Sequence, residues 1–322
     1  MPRKAAILFV CVLGVLAAAA RGEDGAAGAA GPAAETLRVS WWQAAVLGVV
    51  EGLTEYLPVS STGHLILANH AMWPSRFGDR PDPLKDVIKG NPIDAFDIVI
   101  QLGAILAVLG LYRRRVGQMA MGIVGRDAGG LRLLACLMLA FLPAAIVGLP
   151  LRERIKENLF NPLSVAAALA AGGVLMIVIE HFFWRKRKDA PRVTDVDQTR
   201  LWQALVIGLA QCLAMWPGTS RSMITILAAL VVGFDMVAAA EFSFLLALPT
   251  LGAATVYEGC KSWHVLSQSA GPEGIVIGLV VSGVVAALAV KGFVKWLTGH
   301  GLLPFGIYRL ALAVAVFAYF AW

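Results

Sequence analysis

Hydrophobic residues are distributed in long runs rather than in the short alternations of a soluble fold. Six uninterrupted apolar runs lie at about 93–112, 131–150, 162–183, 237–257, 274–292 and 303–322, each long enough to cross a hydrocarbon layer as a helix. Two further apolar stretches are broken. Residues 41–73 contain Pro58 and Gly63, and residues 202–233 contain Pro217 and Gly218. Each reads as two short helices joined by a polar turn. Backbone of that kind persists at membrane depth only where it is buried in protein or faces a wet cavity. The pattern predicts an all-α polytopic membrane protein.

The broken stretches resemble each other. Gln43-Ala-Ala-Val-Leu-Gly-Val-Val-Glu51 matches Gln203-Ala-Leu-Val-Ile-Gly-Leu-Ala-Gln211, and Leu57-Pro-Val-Ser-Ser61 matches Trp216-Pro-Gly-Thr-Ser220 after a one-residue gap. Each is followed by three runs. The membrane domain, 41–322, therefore reads as a duplicated unit of one re-entrant broken hairpin plus three transmembrane helices, covering about 41–183 and 202–322. An odd number of spans per unit makes this an inverted repeat, whose site is expected near the midplane where the broken helices meet. Arg113-Arg114-Arg115, Arg185-Lys186-Arg187-Lys188, and Lys291 with Lys295 end the first, third and fifth runs. Alternation puts all of them on one face, and the positive-inside rule makes that face cytoplasmic. The first hairpin then opens outward and the second inward.

Composition agrees. Of 322 residues, 58% are hydrophobic and 15% charged, with mean hydropathy +0.73. The net charge of +6 sits at run ends, so it calls for no nucleic-acid partner. Cys11, Cys136, Cys212 and Cys260 are scattered without metal or disulfide spacing. Residues 1–20 read as a signal peptide: Arg3 and Lys4, an apolar core, then Ala18-Ala19-Ala20 as a cleavage site. An uncleaved anchor is the alternative. Residues 21–40, rich in Ala and Gly, read as a flexible tether.

The candidate chemistry lies in the breaks. Glu51 and Glu55 stand four apart on a predicted helix, on one face, with Cβ atoms roughly 5–6 Å apart. An ionised carboxylate at membrane depth costs about 2.5–3.5 kcal/mol even on lenient scales, so intramembrane acids point to function. Two carboxylates that close require a proton or a cation between them, and hard oxygen ligands suit Mg²⁺ or Ca²⁺. In Pro58-Val-Ser-Ser-Thr-Gly-His64, Pro58 stops one helix and Ser60, Ser61 or Thr62 caps the next; the free N–H groups of that start suit a phosphate. Ser61 is a candidate nucleophile, and His64 a candidate base or nucleophile, with water as the third option. The second break, Pro217-Gly-Thr-Ser-Arg-Ser-Met-Ile-Thr225, offers Thr219, Ser220, Ser222 and Thr225 as hydroxyls and Arg221 at a helix start. An arginine there opposes the helix dipole unless something anionic offsets it, and a phosphate would take its planar fork. Carboxylates with His from one copy and Arg with hydroxyls from the other make the clamp that phosphoryl transfer needs.

EGLTEYLPVSSTGH (51–64) together with PGTSRS (217–222), and Phe242-Ser-Phe-Leu-Leu-Ala-Leu-Pro249 after them, resembles the undecaprenyl-diphosphate phosphatase family, also called the bacitracin-resistance phosphatases. The resemblance runs from about residue 40 to the C-terminus. It implies that Glu51 and Glu55 are essential and linked to a divalent cation. It also implies that Ser61, His64 and Arg221 belong to an active site facing outward, and that the substrate is the C55 isoprenyl diphosphate, hydrolysed to the monophosphate carrier of cell-wall synthesis in the bacterial cytoplasmic membrane. Met223-Ile224 departs from the Gly-Ala or similar pair of many members. Residues 1–40 and a charged, Pro-rich loop at about 74–92 look like additions.

The rival reading is a transporter or flippase for an anionic lipid or solute, since inverted repeats with broken helices are transporter architecture. A vanadium-haloperoxidase-like lipid phosphatase lacks its signatures here. A homodimer is open.

Overall fold

The structure is a computed structural model, described here over residues 39–72, 92–159, 161–185 and 192–321. The signal-like segment 1–20 and nearly all of the tether 21–40 and of the loop at about 74–92 lie outside the described residues. Eleven α-helices make up the described chain: α1 (Trp41–Thr54), α2 (Ser61–Met72), α3 (Pro92–Leu111), α4 (Arg113–Ile123), α5 (Ala128–Leu159), α6 (Pro162–Ile179), α7 (Leu201–Gln211), α8 (Arg221–Val231), α9 (Met236–Ser269), α10 (Gly271–Leu297) and α11 (Leu303–Ala321). One isolated parallel bridge, Val193 to Phe234, is the nearest thing to a strand among them. The protein is a multi-pass, all-α membrane protein.

Four stretches are long and apolar enough to span: Ala128–Gly148, Leu163–Phe182, Met236–Tyr257 and Gly271–Leu297. The first expected run takes a different form. α3 does not stop at Arg113; the chain bends by 80° into α4, so this run is a broken pair. Arg115 fixes the bend, reaching Asp195 at 2.8 Å and Asp197 at 2.7 Å in the linker before α7, and Glu241 of α9 at 2.8 Å. The last expected run, α11, is a shorter apolar helix over Leu303–Ala318. α5 and α9 both run past their predicted ends, carrying Pro143, Pro150 and Pro249 inside them.

Both broken hairpins are present. α1 turns into α2, and α7 turns through a 3₁₀ segment, Cys212–Met215, into α8. Their first limbs are built alike. The Gln43 side chain accepts from Ser40 N and the Gln203 side chain accepts from Arg200 N, both at 2.9 Å, half of a capping box in each case. Each limb exposes apolar residues on one face, Trp42, Val46 and Val49 against Trp202, Val206 and Leu209, and buries Gln43, Glu51, Gln203 and Gln211 on the other. That is a soluble helix turned inside out, as lipid as solvent demands.

Their packing also corresponds. α1 lies on α10, α7 on α5, and α6 pairs with α11. Gly48 and Gly52 let α1 meet the α10 backbone: a Cβ at Gly52 would stand 2.5 Å from Ser282 O. Gly208, which matches Gly48 in sequence, meets the backbone at Ala140 of α5 in the same way. Small residues at such crossings replace the hydrophobic effect, which lipid removes, with close van der Waals contact. α8 is the innermost element, with every residue from Ser222 to Leu230 buried.

Candidate active site

The two turns meet in the interior. α1 ends at Thr54, whose hydroxyl donates to Val50 O at 2.6 Å, and the chain passes Pro58 to Ser60. Ser60 has φ 75°, Ser220 has φ 74°, and these are the only non-glycine residues with positive φ among those described. Each accepts a backbone N–H with its hydroxyl, Gly63 N at 3.4 Å and Met223 N at 3.3 Å, and each directly precedes its helix. Such a φ costs an L-residue about 1–3 kcal/mol, so the same strain at both tips marks them as equivalent. The equivalence shifts the sequence alignment by one. Ser220 corresponds to Ser60, not to Ser61, and Ser61 stands where Arg221 stands. Gly218, with φ 91°, absorbs the extra residue of the second turn against the Val165 carbonyl.

The two helix-start residues share one carboxylate. Ser61 Oγ donates to Glu55 Oε2 at 2.7 Å, and Arg221 Nη2 reaches Glu55 Oε1 at 3.4 Å. Arg221 is further held by Ser243 O, accepting from Nη1 at 2.9 Å, and lies 5.8 Å over the Tyr56 ring. Its Nε has no partner. A guanidinium set 3.4 Å from its acid with one N–H idle has capacity for another anion.

Glu51 lies behind Glu55, facing it together with Gln101 and Asp97 of α3. It is 1% exposed, and its Oε1 has no partner. Asp97 is held by Asn69 Nδ2 at 2.8 Å, while Asp97 Oδ1 and Asn69 Oδ1 are also buried without partners. Among the described residues no three His, Cys, Asp or Glu side chains stand close enough to hold a metal ion by themselves. The orphaned oxygens nevertheless form an all-oxygen donor set. They fit a hard divalent cation that keeps waters or substrate oxygens for its remaining positions, as Mg²⁺ usually does.

The other expected residues divide. Thr62 lies part-exposed on the first turn of α2, and Thr219 is buried in the second turn. Ser222 and Thr225 are fully buried and committed to protein: Ser222 Oγ donates to Leu57 O at 3.0 Å, stitching the two tips together, and Thr225 Oγ1 bonds Arg221 O at 2.9 Å and Ser243 Oγ at 2.6 Å. They support Arg221 from behind. His64 does not reach Ser61's hydroxyl; its ring lies between Ser60 O at 2.7 Å and Tyr308 Oη at 2.6 Å.

α11 supplies what the sequence reading missed. Arg309 is wholly buried and faces carbonyls rather than an acid: Pro58 O at 3.4 Å in the first tip, Gly218 O at 2.9 Å in the second, and Ala168 O at 3.2 Å on α6. Gly172 leaves the space, since a Cβ there would collide with this guanidinium. The signal was available. Arg309 in the run 303–322 and Asp97 in the run 93–112 are charges inside apolar runs, the same feature that exposes Glu51 and Glu55.

Residues 44–315 match the family model described as bacitracin resistance protein BacA. The chain is 50% identical over 279 residues to an undecaprenyl-diphosphatase of Sorangium cellulosum, covering 86% of this chain and 85% of that one. Proteins of the same name from Solidesulfovibrio magneticus (45%, covering 85% of this chain and 96% of the relative) and Aromatoleum aromaticum (43%, covering 85% and 93%) are similar over comparable lengths. With the matched region spanning both strained tips and all the groups they bring together, the chain belongs to the BacA family of bacitracin resistance proteins.

Proposed function

We propose that this protein hydrolyses undecaprenyl diphosphate to undecaprenyl phosphate and inorganic phosphate, regenerating the lipid carrier of cell-wall synthesis and conferring bacitracin resistance. The carrying observation is the chain Ser61–Glu55–Arg221, which joins a nucleophile, a base and an anion receptor drawn from both hairpins. Arg221 and the N–H groups at the starts of α2 and α8 receive the diphosphate. Ser61 Oγ attacks the terminal phosphorus as its proton passes to Glu55, and the bridging P–O bond breaks to release undecaprenyl phosphate. Water then displaces phosphate from Ser61, with Glu55 taking the water's proton and the serine oxygen recovering one. Glu51 and Glu55 would hold Mg²⁺ or Ca²⁺, which neutralises phosphate charge when bound.

The two hairpins enter from opposite leaflets of the bacterial cytoplasmic membrane, with the site reached from outside. The basic run ends and the matched packing of α1 on α10 and α7 on α5 support that arrangement. A transporter would not require a serine hydroxyl on its carboxylate.

Detergent-purified protein given undecaprenyl diphosphate and Mg²⁺ tests the reading. Phosphate release should fall about 10²–10⁴-fold in Glu55→Gln and about 10²–10³-fold in Arg221→Ala. Mass spectrometry of the quenched reaction should find phosphate on Ser61. An inactive wild type that drives vectorial uptake in vesicles would point to the transporter instead.

A further inference from the structure

His64 carries a hydrogen bond at each ring nitrogen, and their chemistry fixes its tautomer. Ser60 O, 2.7 Å from Nδ1, can only accept, so Nδ1 bears the proton. In the neutral ring Nε2 then holds the lone pair, and it accepts from the Tyr308 hydroxyl at 2.6 Å. The two rings lie within 7° of parallel, their centroids 5.7 Å apart, so the phenol covers the very atom a base or nucleophile would use. Ser61, next in sequence, turns its hydroxyl to Glu55 instead. Ser60, whose carbonyl the imidazole grips, is the strained positive-φ residue that aims Ser61.

We infer that Tyr308 and His64 form a strut: the Tyr308 hydroxyl donates to His64 Nε2, and His64 Nδ1–H donates to the Ser60 carbonyl, pinning the turn that seats Ser61 on Glu55. Both are positioning residues, and His64 neither attacks phosphorus nor takes Ser61's proton. This inference rests on the phosphatase reading with Ser61 as the attacking group.

The full-length protein with His64→Asn, His64→Ala and Tyr308→Phe tests it, through kcat and KM for undecaprenyl diphosphate and through ¹⁵N NMR of histidine-labelled wild type and Tyr308→Phe. An asparagine amide can donate to Ser60 O from near the Nδ1 position. His64→Asn should therefore stay within about tenfold of wild-type kcat, the scale of one neutral hydrogen bond. His64→Ala should lose far more with KM little changed. Tyr308→Phe should lower kcat by a similar tenfold or less, and its His64 resonances should shift from the pure Nδ1–H tautomer toward a mixture. A base at His64 would instead cost about 10²–10⁴-fold in the Asn variant. That result, phosphohistidine at His64, or an Nε2–H tautomer in the wild type would overturn the strut. If His64→Ala does not fold, the Asn variant and the wild-type spectrum decide. A wild type that releases no phosphate defeats the phosphatase reading alone, and the tautomer then judges the hydrogen-bond chain by itself.

Discussion

At the scale of single residues, the site works by leaving groups incompletely satisfied. Arg221 holds Glu55 at 3.4 Å and keeps an idle Nε; Glu51 keeps an idle Oε1. Buried polar atoms without partners are costly, so their concentration between the two hairpins points to ligands that complete them. Glu51 is the residue to separate cation binding from chemistry, because Ser61 bonds Glu55 and not Glu51. Glu51→Gln should weaken Mg²⁺ binding by at least tenfold, about 1.4 kcal/mol, as one charged ligand becomes neutral. Calorimetric titration of the purified variant with Mg²⁺ checks this without reference to turnover. Unchanged affinity would remove Glu51 from the cation site.

At the scale of elements, helices meet where side chains are absent. Gly52 and Gly110 are both helical, and alanine is intrinsically better than glycine in a helix by about 1 kcal/mol. Gly110 faces open space, so Gly110→Ala should leave the melting temperature unchanged or raise it. At Gly52 the new Cβ would stand 2.5 Å from Ser282 O and 2.9 Å from Ala286 N, both backbone atoms that cannot step aside. Gly52→Ala should lower stability by about 1–3 kcal/mol, the usual cost of overpacking. Thermal denaturation of the pair in one detergent compares them directly. Because α1 carries Glu51 at its inner face, the same substitution should also depress phosphate release.

At the scale of the whole molecule, one arginine holds the halves in register. Arg309 donates to a carbonyl in each hairpin tip and to α6, so the separation of Glu55 from Arg221 depends on a residue near the end of the chain. Arg309→Lys keeps the charge but loses the planar fork that reaches three carbonyls from two nitrogens. Each carbonyl left without a donor costs on the order of 1–3 kcal/mol. The variant should melt at a lower temperature and lose kcat although Arg309 bonds neither Glu55 nor Ser61. Wild-type stability and rate in Arg309→Lys would show that the tips need no such tie.

The sequence alone determined the all-helical membrane architecture, the two broken hairpins and the residues in them, because lipid tolerates neither unpaired backbone nor idle charge. Glu51, Glu55, Pro58, Pro217 and Arg221 each violate that rule in plain view. The run lengths gave the spans less exactly, since an apolar run cannot reveal an 80° turn at Arg113 enforced by Asp195, Asp197 and Glu241 far along the chain. Only the tertiary structure decided which serine caps and which one faces Glu55, a one-residue register set by positive φ at Ser60 and Ser220. It alone decided that Ser222 and Thr225 turn inward, and that His64 meets Tyr308 from 244 residues away. Hydropathy is a local property of the chain, whereas a hydrogen bond between distant segments depends on how helices cross, and that is written in the packing.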